Sequence, residues 1–264
     1  MPLTRDCRVF GLDGCPGGWV VARADVDLRV VTTFSLVADC DVRGFLGQLE
    51  GTRAVVAIDV PIGLAEGELR ACDRAARRRL GARRQSSVFS APCRGTLAAS
   101  DYLEACTINR GLRGRAISRQ TWGILSKIAA VEAVLEQVPG VVDQVWEVHP
   151  EVTFAELAGT PDGLRAAKKS ADGQAERLAL LAAHGLTLDV DEIRGELKTL
   201  KVFELDLGTH AQVEKGQLHV RRDDIVDAAA CLVTARRIAL GEAVFLPPGP
   251  APRDARGRRM QIGA

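Results

Sequence analysis

Acidic residues that follow predicted strands are the residues in this sequence best suited to carry out chemistry. Asp13 follows the apolar run RVFGL, Asp59 follows AVVAI, and Glu147 ends the alternating segment VVDQVWE. Asp224 and Asp227 lie three residues apart at the start of an alanine-rich helical segment, so they share one helix face. Strand ends on one side of a sheet are close in space, and a helix packed there can direct its acids toward them. We therefore predict that these carboxylates converge.

Converging carboxylates repel one another, and a divalent cation relieves that repulsion. Mg²⁺ and Mn²⁺ prefer oxygen ligands and complete their coordination with water. Asp13, Asp59 and Asp227 are the predicted ligands, and a pair of such ions can stabilise the attacking and leaving oxygens in phosphodiester hydrolysis. The pattern thus predicts a site that depends on Mg²⁺ or Mn²⁺.

Each acid taken singly also has a structural interpretation. Asp13 precedes a glycine, which is a common turn pair, and Asp59 stands two residues before a proline. Asp223 suits a helix cap as well as a ligand, and the helix dipole favours Asp224 in a first turn. Asp227 fits a structural role least, because its neighbours are expected to be buried. Their joint placement at matching ends of elements is what favours a shared site.

The elements that must position these acids follow from the apolar pattern. Residues 8–12, 19–24 and 28–36 predict three strands joined by short links, which favours an antiparallel meander. Residues 54–60 form a continuous β-branched apolar run, typical of a strand buried on both faces, and residues 223–241 form the clearest helix. The order of elements along the chain matches an RNase H-like core. That core is an α/β fold in which helices flank a mixed five-stranded sheet.

Length and composition fit one large domain with a substantial core, since the chain has 264 residues of which 47% are hydrophobic. We expect a single RNase H-like domain over residues 1–246. Helical insertions are expected around residues 64–140 and 152–215, and an irregular tail over residues 247–264.

Charge and cysteine content exclude several classes of protein. The net charge is only +1, so nothing indicates an extended duplex or a membrane surface as partner. The seven cysteines are odd in number and form no CxxC pair, which favours reduced thiols over disulfides or zinc. No apolar run approaches the roughly 20 residues of a membrane span, and no signal-peptide pattern opens the chain. We therefore expect a cytoplasmic protein with no membrane partner.

An ordered set of motifs gives the sequence a family resemblance. The motifs are GLDGCPGGW, AIDVPIGL, RACDRAARRRLGARRQSSVFSAP, SRQTWGILSKI, EVHPEVTF and DDIVDAAACLVTARRIALG. Together they resemble the DUF429 family, described as predicted RNase H-like nucleases, from about Val9 to Ile262. The last motif is also similar to the C-terminal helix of RuvC-type resolvases, where acids three residues apart precede an alanine-rich run.

The resemblance implies an RNase H-like fold and a metal-dependent, nuclease-like site. It implies the two strand positions for Asp13 and Asp59, and the helix positions for Asp224 and Asp227. Glu147 matches the glutamate of the EVHPE motif, and whether it or the second glutamate of that motif points inward stays open here.

A polar, basic loop is the predicted substrate-binding element. Arg83, Ser86, Ser87 and Arg94 are the residues concerned, and arginine offers a fork of donors to phosphate oxygens. The resemblance includes this segment, which favours substrate binding over the alternative of a solvated helix face and a turn.

Two further cationic or titratable residues are candidates for substrate binding. His149 lies beside Glu147 and could act as a general base, or as a satisfied histidine at a strand-to-helix corner. Lys127 is a lone cation in an apolar helix, where it either reaches water or serves as counter-charge to the acids.

Three functions are compatible with these features. The first is a metal-dependent nuclease or phosphodiesterase acting on nucleic acid or a nucleotide, and a short or single-stranded substrate suits the local basic patch. The second is a nucleotide-binding phosphotransferase related to actin-like folds, because the glycines of DGCPGGW let backbone N–H groups approach a phosphate. Those proteins usually carry a second Asp-Gly phosphate loop, and the sequence has one. The third is a non-catalytic binding protein on the same fold.

Overall fold

The computed structural model describes residues 7–27, 32–199 and 219–264. The strands are β1 (Arg8–Cys15), β2 (Gly18–Asp25), β3 (Thr33–Ala38), β4 (Ala54–Ile58), β5 (Val145–Glu147), β6 (Phe245–Leu246) and β7 (Ile262–Gly263). The α-helices of the described residues are α1 (Val42–Gly47), α2 (Ala71–Arg84), α3 (Tyr102–Arg113), α4 (Arg119–Gly123), α5 (Leu125–Gln137), α6 (Pro150–Leu157), α7 (Ala171–Ala183), α8 (Val190–Thr199) and α9 (Arg222–Leu240).

The first five strands form one mixed sheet in the order β3-β2-β1-β4-β5. Strands β1 to β3 pair antiparallel, whereas β1 pairs parallel with β4, and β4 pairs parallel with β5. The predicted meander and the predicted α/β class are confirmed, and the arrangement is consistent with an RNase H-like fold. The first part of the predicted third strand, residues 28–31, and the end of the second predicted insertion lie outside the described residues.

The two faces of the sheet bury two different cores, because successive side chains of a strand point to opposite faces. Val9, Val55 and Ala57 point to the face covered by α9. Leu12 and Ile58 point to the opposite face, which packs against α1 and α5. Any residue on β1 or β4 can therefore be assigned to a face by its position relative to these.

Helix α9 lies directly against β1 because residue 11 is a glycine. A Cβ atom at Gly11 would lie 2.1 Å from the backbone nitrogen of Leu232 and 2.2 Å from the carbonyl oxygen of Ala228. These separations are far below van der Waals contact, so a side chain at residue 11 would force the helix away from the sheet. The close approach brings the first turns of α9 to the carboxyl ends of β1 and β4.

The C-terminal segment, which the sequence predicts to be an irregular tail, contains no helix or strand over residues 247–261 and ends in the short strand β7. It folds back onto the domain, where β6 pairs antiparallel with β7. The carboxylate of Asp254 is fully buried and accepts a hydrogen bond from the backbone N–H of Leu64 at 2.9 Å. Proline and glycine content indicates an irregular path, but it cannot show what such a path packs against.

The membrane prediction can be compared with the helices directly. Within the part of the chain that the structure describes, no helix is both long enough and apolar enough to span a bilayer.

Candidate functional site

Strands β1 and β4 place two of the predicted acids side by side. Leu12 is paired with Ile58 in the parallel register, and the backbone N–H of Asp59 donates to the carbonyl oxygen of Leu12 at 3.1 Å. Asp13 and Asp59 follow this pair, so both belong to the face that α9 covers. Strand β1 continues past Asp13 to Cys15 in its pairing with β2, so Asp13 lies within a strand and not in a turn.

Helix α9 adds the third acid from above the sheet. Asp227 precedes Ala228, which packs against Gly11, and its side chain is buried, with 5% of its surface exposed. Asp224 lies one turn earlier and accepts a hydrogen bond from the backbone N–H of Arg221 at 2.8 Å. Asp224 therefore caps the start of the helix, as the acid at the third helical position does in a capping box. Asp227 has no such structural partner in its own helix.

A lysine from a distant segment enters the acidic group. Lys168, which lies between α6 and α7, donates a short hydrogen bond from Nζ to Asp227 Oδ2 and remains 30% exposed. The segment before it is held by Arg84 at the end of α2, whose Nε donates to the carbonyl oxygen of Leu164 at 2.9 Å. The lysine is therefore placed by contacts between parts of the chain far apart in sequence.

The pKa values of these groups show a concentration of negative charge. Burial raises the pKa of Asp13 well above its ordinary value, and the charges of Asp227 and Asp59 raise it further. Burial likewise raises the pKa of Asp227, to about 6, although Lys168 opposes the shift. Burial also raises the pKa of Asp59, against the opposing charges of His149 and Lys168. One ammonium thus faces several carboxylates that have lost their hydration.

One buried acceptor atom in this group has no donor. Asp227 Oδ1 is buried and has no hydrogen-bond partner. No group of the described residues donates a hydrogen bond to the side chain of Asp13 or Asp59 either. Because a buried carboxylate oxygen without a donor is costly, the arrangement is suited to a ligand that supplies positive charge.

His149, which follows β5 and precedes α6, also borders this acidic group. Its Nε2 lies 3.2 Å from the carbonyl oxygen of Ser87. A carbonyl oxygen only accepts, so this contact assigns the proton to Nε2 and leaves Nδ1 as an acceptor. Nδ1 is buried and has no partner. When both ring nitrogens carry protons, the charge of His149 lowers the pKa of Asp59 more than any other neighbouring charge does.

Glu147 does not join these acids, which corrects the prediction made for it. It is paired in register with Ile58, and so it points to the sheet face opposite Asp13 and Asp59. Its carboxylate accepts hydrogen bonds from Arg70 at 2.7 and 2.8 Å and from the backbone N–H of Ile62 at 2.7 Å. The prediction failed because a strand's alternation does not reveal which of its faces a particular helix covers.

The Arg70 guanidinium completes a second acidic cluster around Glu147. Arg70 also donates to Asp73 at 2.5 and 3.1 Å, and both residues are about 1% exposed. Within the described residues, the one group whose ligand atoms all lie within 4.8 Å of one another is Cys72, Asp73 and Glu147. Arg70 cancels one of the two negative charges and donates hydrogen bonds to both carboxylates, and each carboxylate also accepts a backbone N–H. The carboxylates of Asp13, Asp59 and Asp227 are not gathered that tightly around Lys168.

The comparison with known families finds the family that the motifs resemble. The model of the family described as "Protein of unknown function (DUF429)" matches residues 11–252. The chain belongs to the DUF429 family. No curated protein and no solved structure matches it. The matched range of this DUF429 chain includes all the residues of the acidic group.

Arg94, one of the two arginines predicted to bind substrate, has a structural role in this DUF429 chain. Arg94 forms ion pairs with Glu132 at 2.6 Å and with Asp254, which ties α5 and the C-terminal segment together. Its charge is therefore cancelled within the fold. The Ser87 hydroxyl donates to the carbonyl oxygen of Arg84 at 2.8 Å. Arg83 and Ser86 are exposed, and their contact with substrate stays a prediction.

Lys127 contacts the β1–β2 hairpin and does not contact the acidic group. Its Nζ donates to the carbonyl oxygen of Gly18 at 2.7 Å and to Asp39 at 2.5 Å. The same ammonium lies 4.6 Å from the centre of the Trp19 ring, and the side chain packs against Gly14. Lys127 neither reaches bulk water nor serves as the counter-charge of the acidic group.

Lys168 was missed from the sequence, and of the two EVHPE glutamates between which the sequence left the choice open, Glu151 is the one that borders the acidic group. Lys168 had no signal beyond a pair of adjacent lysines between two predicted helices. The charge of Glu151, the second glutamate of EVHPE, raises the pKa values of Asp59 and Asp227, although burial raises them more. Its own carboxylate forms a bidentate pair with the buried Arg177 at 2.7 and 2.8 Å. Glu151 thus borders the group but is already neutralised.

Proposed function

We propose that this DUF429 protein is a metal-dependent phosphodiesterase of the nuclease type. The observation that supports the proposal most is the buried Oδ1 of Asp227, which has no hydrogen-bond partner and lies in the same acidic group as Asp13 and Asp59. A purely structural acidic group would have its oxygens satisfied, as buried polar groups generally are. An acidic group that is left short of donors and of positive charge is suited to bind a cation.

The donor set fits a hard divalent ion. Asp13, Asp59 and Asp227 would hold Mg²⁺ or Mn²⁺, since all their available ligand atoms are carboxylate oxygens. When bound, such an ion supplies Lewis acidity at a phosphoryl oxygen and an activated water. Asp224 lies at the edge of the group, where its hydrogen bond to the Arg221 N–H makes it a helix cap first.

The remaining groups of the chain have separate roles in the proposed reaction. The unprotonated Nδ1 of His149 can take a proton from an attacking water near Asp59. The Lys168 ammonium offsets the charge of Asp227 in the absence of metal, and its partial exposure leaves it able to contact an anionic substrate. Glu151 keeps its pair with Arg177 and adds negative potential without binding the substrate.

The proposal is tested by metal-dependent hydrolysis. Purified protein is incubated with single-stranded DNA, RNA and a small phosphodiester, each with Mn²⁺, with Mg²⁺ and with a chelator. Cleavage is expected only with metal, and Asp13→Asn is expected to remove it, with a loss of roughly 100-fold or more. Asp143→Asn is the matched control, because Asp143 is an exposed aspartate outside the group.

Metal binding is measured in parallel by thermal unfolding. Mn²⁺ is expected to raise the melting temperature of the wild-type protein and of Asp143→Asn, but not that of Asp13→Asn, since a ligand of the folded state stabilises it. If no metal shifts the melting temperature, the proposal is wrong. ATP binding without metal-dependent cleavage would favour the phosphotransferase alternative instead.

A further inference from the structure

A groove lined by arginines has a charge opposite to that of the acidic group. The groove has a volume of about 440 Å³ and lies between α2, the loop that follows it, and the segment linking α3 to α4. Arg77, Arg113 and Arg115 line it, together with hydroxyl and apolar side chains that include Ser86 and Phe89. No aspartate or glutamate of the described chain lines it. The volume is in the range of sites for small ligands, about 300–1,000 Å³.

Two of these arginines are held in place without losing their charge. Arg77 donates to the carbonyl oxygen of Val88 at 2.9 and 3.1 Å and to Ser90 Oγ at 2.9 Å. Arg113 donates to the carbonyl oxygen of Ala91 at 2.7 Å and to two other backbone carbonyls. Neither forms an ion pair with a carboxylate of the described residues. Carbonyl oxygens fix a guanidinium but do not neutralise it, so both charges remain available to an anion.

The other groups at the groove suit a ligand that is both anionic and aromatic. Arg115 is exposed, and Phe89 has 43% of its surface exposed, which is unusual for a large apolar residue of this chain. A base stacks on an exposed aromatic ring, and its phosphate bonds to arginine forks. Stacking of this kind requires a base that is free of a duplex.

The wall of the groove is connected to the acidic group. Ser87 follows Ser86, which lines the groove, and its carbonyl oxygen contacts His149 Nε2 at 3.2 Å. The far end of the same loop is fixed by the other cluster, because the backbone N–H of Ala91 donates to Asp73 at 3.1 Å. One short loop thus separates the groove from the candidate metal site.

We propose that this groove binds a segment of single-stranded nucleic acid, with phosphates at Arg77, Arg113 and Arg115 and a base against Phe89. This inference deepens the proposed function, because it names the class of substrate that the acidic group would cleave. It also explains how a chain with a net charge of +1 can bind a polyanion, since three arginines and no carboxylate of the described residues line this groove.

The test measures binding without catalysis. Asp13→Asn protein is titrated, with a chelator present, into a short fluorescent oligothymidylate while its anisotropy is followed. Adding Phe89→Ala is expected to weaken binding roughly 5- to 100-fold. Adding Arg115→Gln is expected to weaken it several-fold at low salt and to reduce the salt slope by about one. Phe89→Leu keeps the packing without a stacking face, so it should bind nearly as weakly as Phe89→Ala.

Matched controls lie outside the groove. Arg43→Gln removes an exposed arginine from α1, and Leu103→Ala removes an exposed apolar side chain from α3. Effects of the groove variants no larger than those of the controls would overturn the inference. Competition by thymidine monophosphate or inorganic phosphate at the same concentration as the oligonucleotide would also overturn it, in favour of a free nucleotide or a simple anion. Because metal is absent, a negative result leaves the hydrolysis test unaffected, and the reverse holds too.

Discussion

Two buried acidic clusters lie on opposite faces of the same sheet, and they differ in how their charge is balanced. In the Arg70 cluster, Glu147 and Asp73 share one guanidinium and also accept backbone N–H groups. In the other cluster, Asp13, Asp59 and Asp227 share one partly exposed ammonium, and Asp227 Oδ1 has no donor at all. The Arg70 cluster is also the more completely buried, since the side chains of Arg70 and Asp73 are 1% exposed, whereas Lys168 is 30% exposed and Asp59 is half-buried.

The difference indicates which cluster holds the fold together and which is available for chemistry. The Arg70 cluster connects β5, the start of α2 and the loop at Ala91, so its satisfied bonds brace three parts of the chain. The cluster around Asp227 leaves acceptors open at the end of the parallel strands. Tight grouping of ligand atoms and open acceptors single out different clusters, since the closest ligand atoms belong to the Arg70 cluster.

The largest expected effect tests the Arg70 cluster. Arg70→Met should lower the free energy of unfolding by about 3–5 kcal/mol, because Glu147 and Asp73 would remain buried without their cation. Chemical denaturation measures this, with Arg43→Met as an exposed control that should change stability by less than about 0.5 kcal/mol. Where Arg70→Met still folds, Mn²⁺ should still raise its melting temperature. A loss below about 1 kcal/mol would remove the distinction between the clusters.

The next effect is the pH dependence of the Asp227 cluster. The pKa of Asp227 is about 6 in the folded protein and 3.8 when unperturbed, so the folded state binds more protons between these values. The contribution of Asp227 to stability is therefore highest below about pH 4. About 3 kcal/mol of it is lost as the pH rises through about 6. The gap in unfolding free energy between Asp227→Asn and the wild type should change by most of that amount from pH 4 to pH 8. Parallel pH profiles of the two proteins would contradict it.

The smallest effect compares two isosteric changes that should have opposite signs. Without metal, Asp13→Asn should raise the melting temperature by a few degrees, because it removes a desolvated charge. In a chain of this length, each kcal/mol of stability corresponds to roughly 2–4 °C in melting temperature. Glu147→Gln should lower it, because it breaks a buried ion pair. Differential scanning fluorimetry on both variants measures the two shifts. A fall for Asp13→Asn would show that its carboxylate is satisfied after all.

Much of the frame was predictable from local patterns. The apolar runs predicted β1, β2 and β4, and the helix rules predicted α9 almost to its ends, with Arg222 in place of Asp223 as its first residue. The placement of Asp13 and Asp59 followed, because parallel strands end at the same edge. Glu147 was assigned to the wrong face of the sheet, because the alternation along β5 does not show which face α9 covers. Arg94 and Lys127 were misread for a related reason, because their partners are distant in sequence.

The sequence by itself determined the strands, the last helix and the set of acids available, because those depend on period and composition over short windows. The tertiary structure alone decided which acids meet, which cation meets them and which of them remain without donors. Lys168 reaches Asp227 across 59 residues, and Arg70 reaches Glu147 across 77. Charge balance in a buried cluster is a property of partners brought together by folding, so no local pattern encodes it.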